Sequence, residues 1–211
     1  MPKMFKLPDD SPPIIPVIVI KDAAKAPKLA EALLAGGIKT IEVTLRSKAA
    51  LDAVKAITPS VPEIFLGAGT ILTGNQLELA SKAGASFFVS PGSTDQLIQA
   101  AMQYDQPFLF GAGTASEAMK LREHGFLRLK FFPADGAGGI KTLKGLKGPL
   151  PDITFCPTGG INEKNAKDYL DLDNVFSIGG SWIAPTDLIE AEAWNEITAR
   201  AQAASILAAS G

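Results

Sequence analysis

The sequence predicts an α/β protein built as a (β/α)₈ TIM barrel, an eight-stranded parallel sheet with outer helices. Three observations carry that prediction. Short apolar runs alternate with longer Ala/Leu-rich segments along the whole chain, and alternating βα units imply a parallel sheet. Eight such pairs fit into about 195 of the 211 residues, which suits a small barrel. Several strand candidates run into Gly, Pro, Ser or Thr before the next helix; in a barrel these ends share the face where active sites sit. A doubly wound open sheet is the rival, but it uses five or six strands, and no G-x-G-x-x-G follows the first strand here.

The first strand is expected at 17–20 and its helix at 24–35. The second pair is 40–44 with 49–56, the third 64–68 with 75–83, and the fourth 86–90 with 94–103. The fifth is 107–110 with 116–124, and the sixth is 127–132 with 141–146. The seventh is 153–157 with 163–170, where Asn162 reads as the helix N-cap. The eighth strand, 175–178, leads to Pro185 as the opening of the next helical turn and to one long C-terminal helix, 188–208. Residues 1–211 read as one barrel domain, with 1–13, rich in proline, as an extension packing on one end.

Composition narrows the function classes. A net charge of −2, with no basic run or interleaved aromatic stripe, gives no reason to expect nucleic acid. One cysteine, Cys156, and one histidine, His124, leave no internal disulfide, no Cys-rich zinc site and no His-based metal triad. No cofactor or metal is called for. The apolar stretch 14–20 is short and broken by Pro16, unlike a signal or membrane segment. The chain therefore reads as cytoplasmic and not membrane-bound.

Lys130 is the residue that needs explaining. The run Leu127-Arg-Leu-Lys-Phe-Phe-Pro133 is of strand type, and lysine is rarely buried in one. Alternation assigns Leu127, Leu129 and Phe131 to the helices and sends Arg128, Lys130 and Phe132 inward. Poor solvation there disfavours the ammonium, and a neutral amine attacks a ketone to give a Schiff base. The plainer reading, a strand-end lysine snorkelling to solvent, is the better one on this strand alone. In Thr40-Ile-Glu-Val-Thr-Leu-Arg46 the apolar set must face the helices. Glu42 then points inward as a proton shuttle, and Arg46, one step up, suits a substrate carboxylate. An internal ion pair that only fixes the barrel is the equal alternative.

Gly159-Gly160 after strand seven and Gly179-Gly180-Ser181 after strand eight occupy the positions where barrels often bind phosphate, although turns use glycine pairs freely. His124 suits a helix C-terminus. Cys156 reads as a structural thiol on either face of its strand. Trp182 suits either a cover for the phosphate loop or an interface.

Taken together, Ile41-Glu-Val-Thr-Leu-Arg46, Gly67-Ala-Gly-Thr70, Ser90-Pro-Gly92, Lys130-Phe-Phe-Pro-Ala134, Cys156-Pro-Thr-Gly-Gly160 and Gly179-Gly-Ser-Trp182 resemble the 2-keto-3-deoxy-6-phosphogluconate (KDPG) and 4-hydroxy-2-oxoglutarate (KHG) aldolase family. The resemblance runs over nearly the whole chain, in order. It implies a class I, metal-free carbon–carbon lyase that splits a phosphorylated 2-keto acid into pyruvate and glyceraldehyde 3-phosphate, and that also takes 4-hydroxy-2-oxoglutarate. It implies Lys130 as Schiff-base lysine and Glu42 as general acid/base. Arg46, Thr70 and Pro91 would surround the pyruvate moiety, with Phe132 near the imine and Thr158 on substrate hydroxyls. Gly159, Gly160, Gly180 and Ser181 would hold the phosphate, and the assembly would be a homotrimer. Gly111-Ala-Gly-Thr114 and Asp135 depart mildly from the family pattern and carry none of these roles. The epimeric 6-phosphogalactonate substrate, an unphosphorylated keto acid, a phosphosugar isomerase or synthase on a similar barrel, and a non-catalytic binding barrel are the competing readings.

Overall fold

A computed structural model of the protein describes residues 4–209. The first three residues of the expected N-terminal extension lie outside them. The strands are β1 (Ile14–Ile18), β2 (Thr40–Thr44), β3 (Phe65–Gly69), β4 (Phe87–Val89), β5 (Phe108–Leu109), β6 (Gly111–Ala112), β7 (Arg128–Phe131), β8 (Thr154–Pro157) and β9 (Ile178–Gly180). The helices are α1 (Ala26–Ala35), α2 (Ala50–Ser60), α3 (Gly74–Lys82), α4 (Asp95–Ala101), α5 (Ala115–Glu123), α6 (Gly139–Lys147), α7 (Ala166–Leu170), α8 (Thr186–Glu190) and α9 (Trp194–Ala209).

Every strand pairing is parallel. Where a single eight-stranded sheet was expected, the pairing forms a curled six-stranded sheet, β5-β4-β3-β2-β1-β9, and a three-stranded sheet, β6-β7-β8. The expected fifth strand is divided at Phe110, where the chain changes partner: β5 pairs with β4, and from the Phe110 carbonyl, which accepts from the Lys130 N–H at 2.8 Å, onward it pairs with β7. A Cβ on Gly111 would stand 2.1 Å from the Pro91 carbonyl oxygen. Two isolated parallel bridges, Phe155 to Val175 and Thr158 to Gly179, lie between β8 and β9.

Alternation divides the apolar residues into two layers. One face of the strands, including Ile41, Val43, Leu66, Phe88, Leu129 and Phe131, packs on helix residues such as Leu29, Leu33, Val54, Ile57, Leu77 and Leu121. The other face carries a smaller cluster of Phe5, Ile15, Phe87, Val89, Leu109 and Cys156. Phe5 comes from the N-terminal segment. Its ring meets Phe87 edge-on at 5.0 Å and lies 5.9 Å from both Phe65 and Phe176. Its carbonyl accepts from Arg128 Nη1 at 2.9 Å.

Three threonines start the helices that follow strand ends: Thr73, Thr94 and Thr114 each cap the helix after them, the last in a full capping box with Glu117. Other boundaries depart from expectation. β1 begins earlier and includes Pro16, and β9 lies later, so Gly179 and Gly180 are strand residues paired with Ile15 and Pro16 rather than a turn. Asn162 caps no helix: α7 begins after Asn165, whose side chain accepts from the Asn162 N–H instead. The long C-terminal helix is two, divided at Glu192, which takes a left-handed φ of 54°. Pro185 stands directly before α8. Among the described residues no helix is long and apolar enough to cross a membrane.

Candidate active site

In β2 the apolar side chains face the helices, and Thr40, Glu42 and Thr44 turn to the opposite side, all buried. In β7 the same alternation turns Lys130 inward between Leu129 and Phe131. Lys130 and Glu42 are 6% and 3% exposed, so neither head group reaches bulk solvent as a snorkelling lysine would. Lys130 Nζ lies 3.3 Å from each oxygen of Glu42. A buried charge of this kind is retained only with its partner; losing one leaves the other uncompensated. The Phe132 ring lies beside the amine, its centroid 5.3 Å from Nζ.

The carboxylate fits because its neighbour has no side chain. A Cβ on Gly69 would stand 2.0 Å from Glu42 Oε1. On the other side of Lys130, β7 pairs with β8 in a register that sets Cys156 opposite. Cys156 belongs to the inner cluster, which resolves its face. Burial pushes its thiol up to about 12, with the nearby Lys130 charge opposing and Glu42 reinforcing the shift. It is a protonated, structural thiol.

The remaining expected site residues stand at the same ends of the parallel strands. Arg46 lies just beyond β2, Thr70 just beyond β3 and Pro91 just beyond β4. The Leu45 N–H donates to the Gly69 carbonyl at 2.8 Å and that of Ile71 to Val89 at 3.0 Å, so these three ends are stitched together. Thr70 has φ 59°, costly for a β-branched residue; such strain collects at functional sites. No hydrogen bond joins Arg46, Thr70 or Pro91 to Lys130 or Glu42 among the described residues.

Thr158 is buried beyond β8 and bridges to Gly179, where a Cβ would stand 2.3 Å from Thr158 Oγ1. That bridge brings the turn at Gly159 and Gly160 beside the end of β9, where Gly180 and the exposed Ser181 follow. Gly159 and Gly160 have φ of 97° and 86°, the left-handed region that glycine enters without penalty. Asn165 Nδ2 donates to the Gly160 carbonyl at 3.0 Å, fixing the turn. Trp182 folds back so that a Cβ on Gly180 would lie 1.7 Å from its ring, and its carbonyl accepts from Arg200 Nη1 at 3.1 Å. Trp182 thus braces the end of β9. His124 is the C-cap of α5. No group of three or more His, Cys, Asp or Glu suited to a metal ion occurs among the described residues.

Two residues escaped the sequence reading: Gly69, which makes room for Glu42, and Thr44, which touches Arg46. Their signal was present. Thr44 belongs to the inward polar set of β2, and Gly69 is a glycine inside a strand, where a close approach is the usual reason.

Comparison with known proteins gives a consistent result. The family model for KDPG and KHG aldolase matches residues 10–200. The chain is 48% identical over 192 residues to a 2-dehydro-3-deoxy-phosphogluconate aldolase of Pseudoalteromonas atlantica, covering 91% of this chain and 89% of that one. It is 46% identical over 192 residues to the KHG/KDPG aldolase of Escherichia coli, covering 91% and 90%. The crystal structure of KDPG aldolase from Legionella pneumophila, with pyruvate captured at low pH as a covalent carbinolamine intermediate, superposes with a TM-score of 0.90 at 45% identity, covering 92% of this chain and 94% of that one.

Proposed function

The chain belongs to the KDPG and KHG aldolase family, and from that premise we propose that it cleaves 2-keto-3-deoxy-6-phosphogluconate to pyruvate and glyceraldehyde 3-phosphate through a Schiff base on Lys130. The observation that carries this reading is a buried lysine whose Nζ lies 3.3 Å from both oxygens of one carboxylate.

Proton transfer from the Lys130 ammonium to Glu42 leaves a neutral amine, and its lone pair attacks the C2 ketone. Glu42 returns the proton to the former carbonyl oxygen, giving a carbinolamine. Loss of that oxygen as water leaves a protonated imine. Glu42, now a carboxylate, removes the proton of the C4 hydroxyl; the C3–C4 bond breaks, its electron pair moves into the imine, and the aldehyde departs. The enamine takes a proton at C3, and water releases pyruvate and restores the amine. One carboxyl group serves each proton transfer because it faces the nitrogen from which the intermediates grow.

Arg46 grips the substrate carboxylate, Thr70 and Pro91 border the pyruvate moiety, Phe132 packs by the imine and Thr158 meets the substrate hydroxyls. Gly159, Gly160, Gly180 and Ser181 take the phosphate; two left-handed glycines beside a braced strand end support that role. The same machinery accepts 4-hydroxy-2-oxoglutarate, with glyoxylate as the aldehyde. We read the two sheets as arcs of one closed (β/α)₈ barrel, with β5 and β6 as one strand interrupted at Phe110. The bridges between β8 and β9 support closure. The chain is read as a single domain with its N-terminal segment packed on the barrel, working as a homotrimer in the cytoplasm.

Borohydride reduction in the presence of pyruvate, followed by mass spectrometry, tests the reading. A stable adduct on Lys130 is expected; a chain that stays unmodified overturns it. kcat/KM for the gluconate and galactonate epimers then settles the preferred sugar acid.

A further inference from the structure

The end of β2 contains a hydroxyl that both donates and accepts a hydrogen bond. Thr44 Oγ1 donates to the Ile18 carbonyl of β1 at 2.7 Å, and Thr44 is 1% exposed. With its one hydrogen committed, the oxygen offers only lone pairs elsewhere. Arg46 Nε donates to it at 3.2 Å. Ser47, one residue further on, ties its hydroxyl to the Ile20 carbonyl just past β1, so the end of β2 and the turn after it are each fastened to the neighbouring chain. No carboxylate forms an ion pair with Arg46 among the described residues, and the side chain stands exposed at the rim. The head group of this arginine is therefore oriented by Thr44 alone.

We propose that Thr44 is a positioning residue for Arg46: it holds Nε and so turns the Nη1–Nη2 edge toward the substrate carboxylate. A guanidinium binds a carboxylate bidentately through either its Nε–Nη side or its Nη–Nη end. Thr44 closes the first mode. β1 fixes the direction of the hydroxyl, β2 carries both partners two residues apart, and the arginine enters the encounter with one orientation preset. Less side-chain freedom is then lost on binding.

This inference rests on the reading of Arg46 as the carboxylate clamp, and the test separates the two. Steady-state kinetics with the phosphorylated keto acid, and the pyruvate concentration that half-saturates borohydride trapping, are measured for T44V, T44S, R46A and the T44V/R46A pair. T44V should raise both KM and the trapping midpoint about tenfold, the loss of one charge-assisted hydrogen bond, with kcat within about twofold of wild type. T44S, which keeps the hydroxyl, should restore both. T44V should add nothing in the R46A background. If T44V does not fold, T44A carries the same expectation without the added methyl group. Unchanged constants in T44V beside a raised KM in R46A overturn the role of Thr44 and leave the clamp standing. Equal damage in T44S and T44V overturns it as well, since that marks a packing role. An R46A enzyme of unchanged KM overturns both readings.

Discussion

Lys130 and Glu42 depend on each other electrostatically because both are buried, and in the proposed mechanism chemically as well, since one carboxyl group moves every proton. Glu42→Gln keeps the shape and removes the proton traffic. It is expected to lower kcat by about 10²–10⁴-fold while single-turnover trapping on Lys130 remains detectable but slow. Cys156 sits against this pair without joining it. Its folded-state thiol is raised from an ordinary 9.0 to about 12 by burial. The thiol is therefore protonated through neutral pH. Its contribution to stability is complete below about pH 9 and is lost as pH rises from there through about 12. Native enzyme should not react with a thiol reagent at pH 8, whereas one equivalent should be taken up on unfolding. Rapid labelling of the native form would disprove this.

The elements were legible where periodicity is strong and hidden where a close approach sets the limit. The inward face of β2 followed from alternation alone, because Ile41 and Val43 had to meet helices. The end of β9 did not, because Gly179 and Gly180 read as turn residues. They are strand residues whose missing side chains admit Thr158 and Trp182, a tertiary fact. The break between α8 and α9 was equally hidden, as 190–194 contains neither Gly nor Pro and the stop is a left-handed glutamate. Gly36 shows the same limit between helices. Placed after α1, it lets α9 approach until a Cβ would stand 2.4 Å from Ala201 Cβ and 2.7 Å from the Thr198 carbonyl oxygen. Gly36→Ala should therefore destabilise the protein by about 1–3 kcal/mol, as overpacking does, read as a lower denaturation midpoint at unchanged m-value.

At the scale of the molecule, the sequence conveyed a parallel α/β architecture of alternating strands and helices. What it withheld is how the strands are apportioned between sheets, since Phe110 alone separates β5 from β6. Nor did it say what Phe5 packs with. Phe5 is 2% exposed within the aromatic group of Phe65, Phe87 and Phe176. Phe5→Ala should cost about 3–5 kcal/mol and should lower the melting temperature while KM stays close to wild type, because Phe5 touches neither Lys130 nor Glu42.

Phe5 also imposes an order on synthesis. It is translated 171 positions before Phe176, whose ring it meets in the folded chain. At about 5–20 residues per second the segment is without that partner for roughly 9–34 s. Ribosome-stalled chains ending before 176 should leave it open to protease, and released full-length chains should protect it. A residue just before β9 thus completes the packing of a segment made before β1.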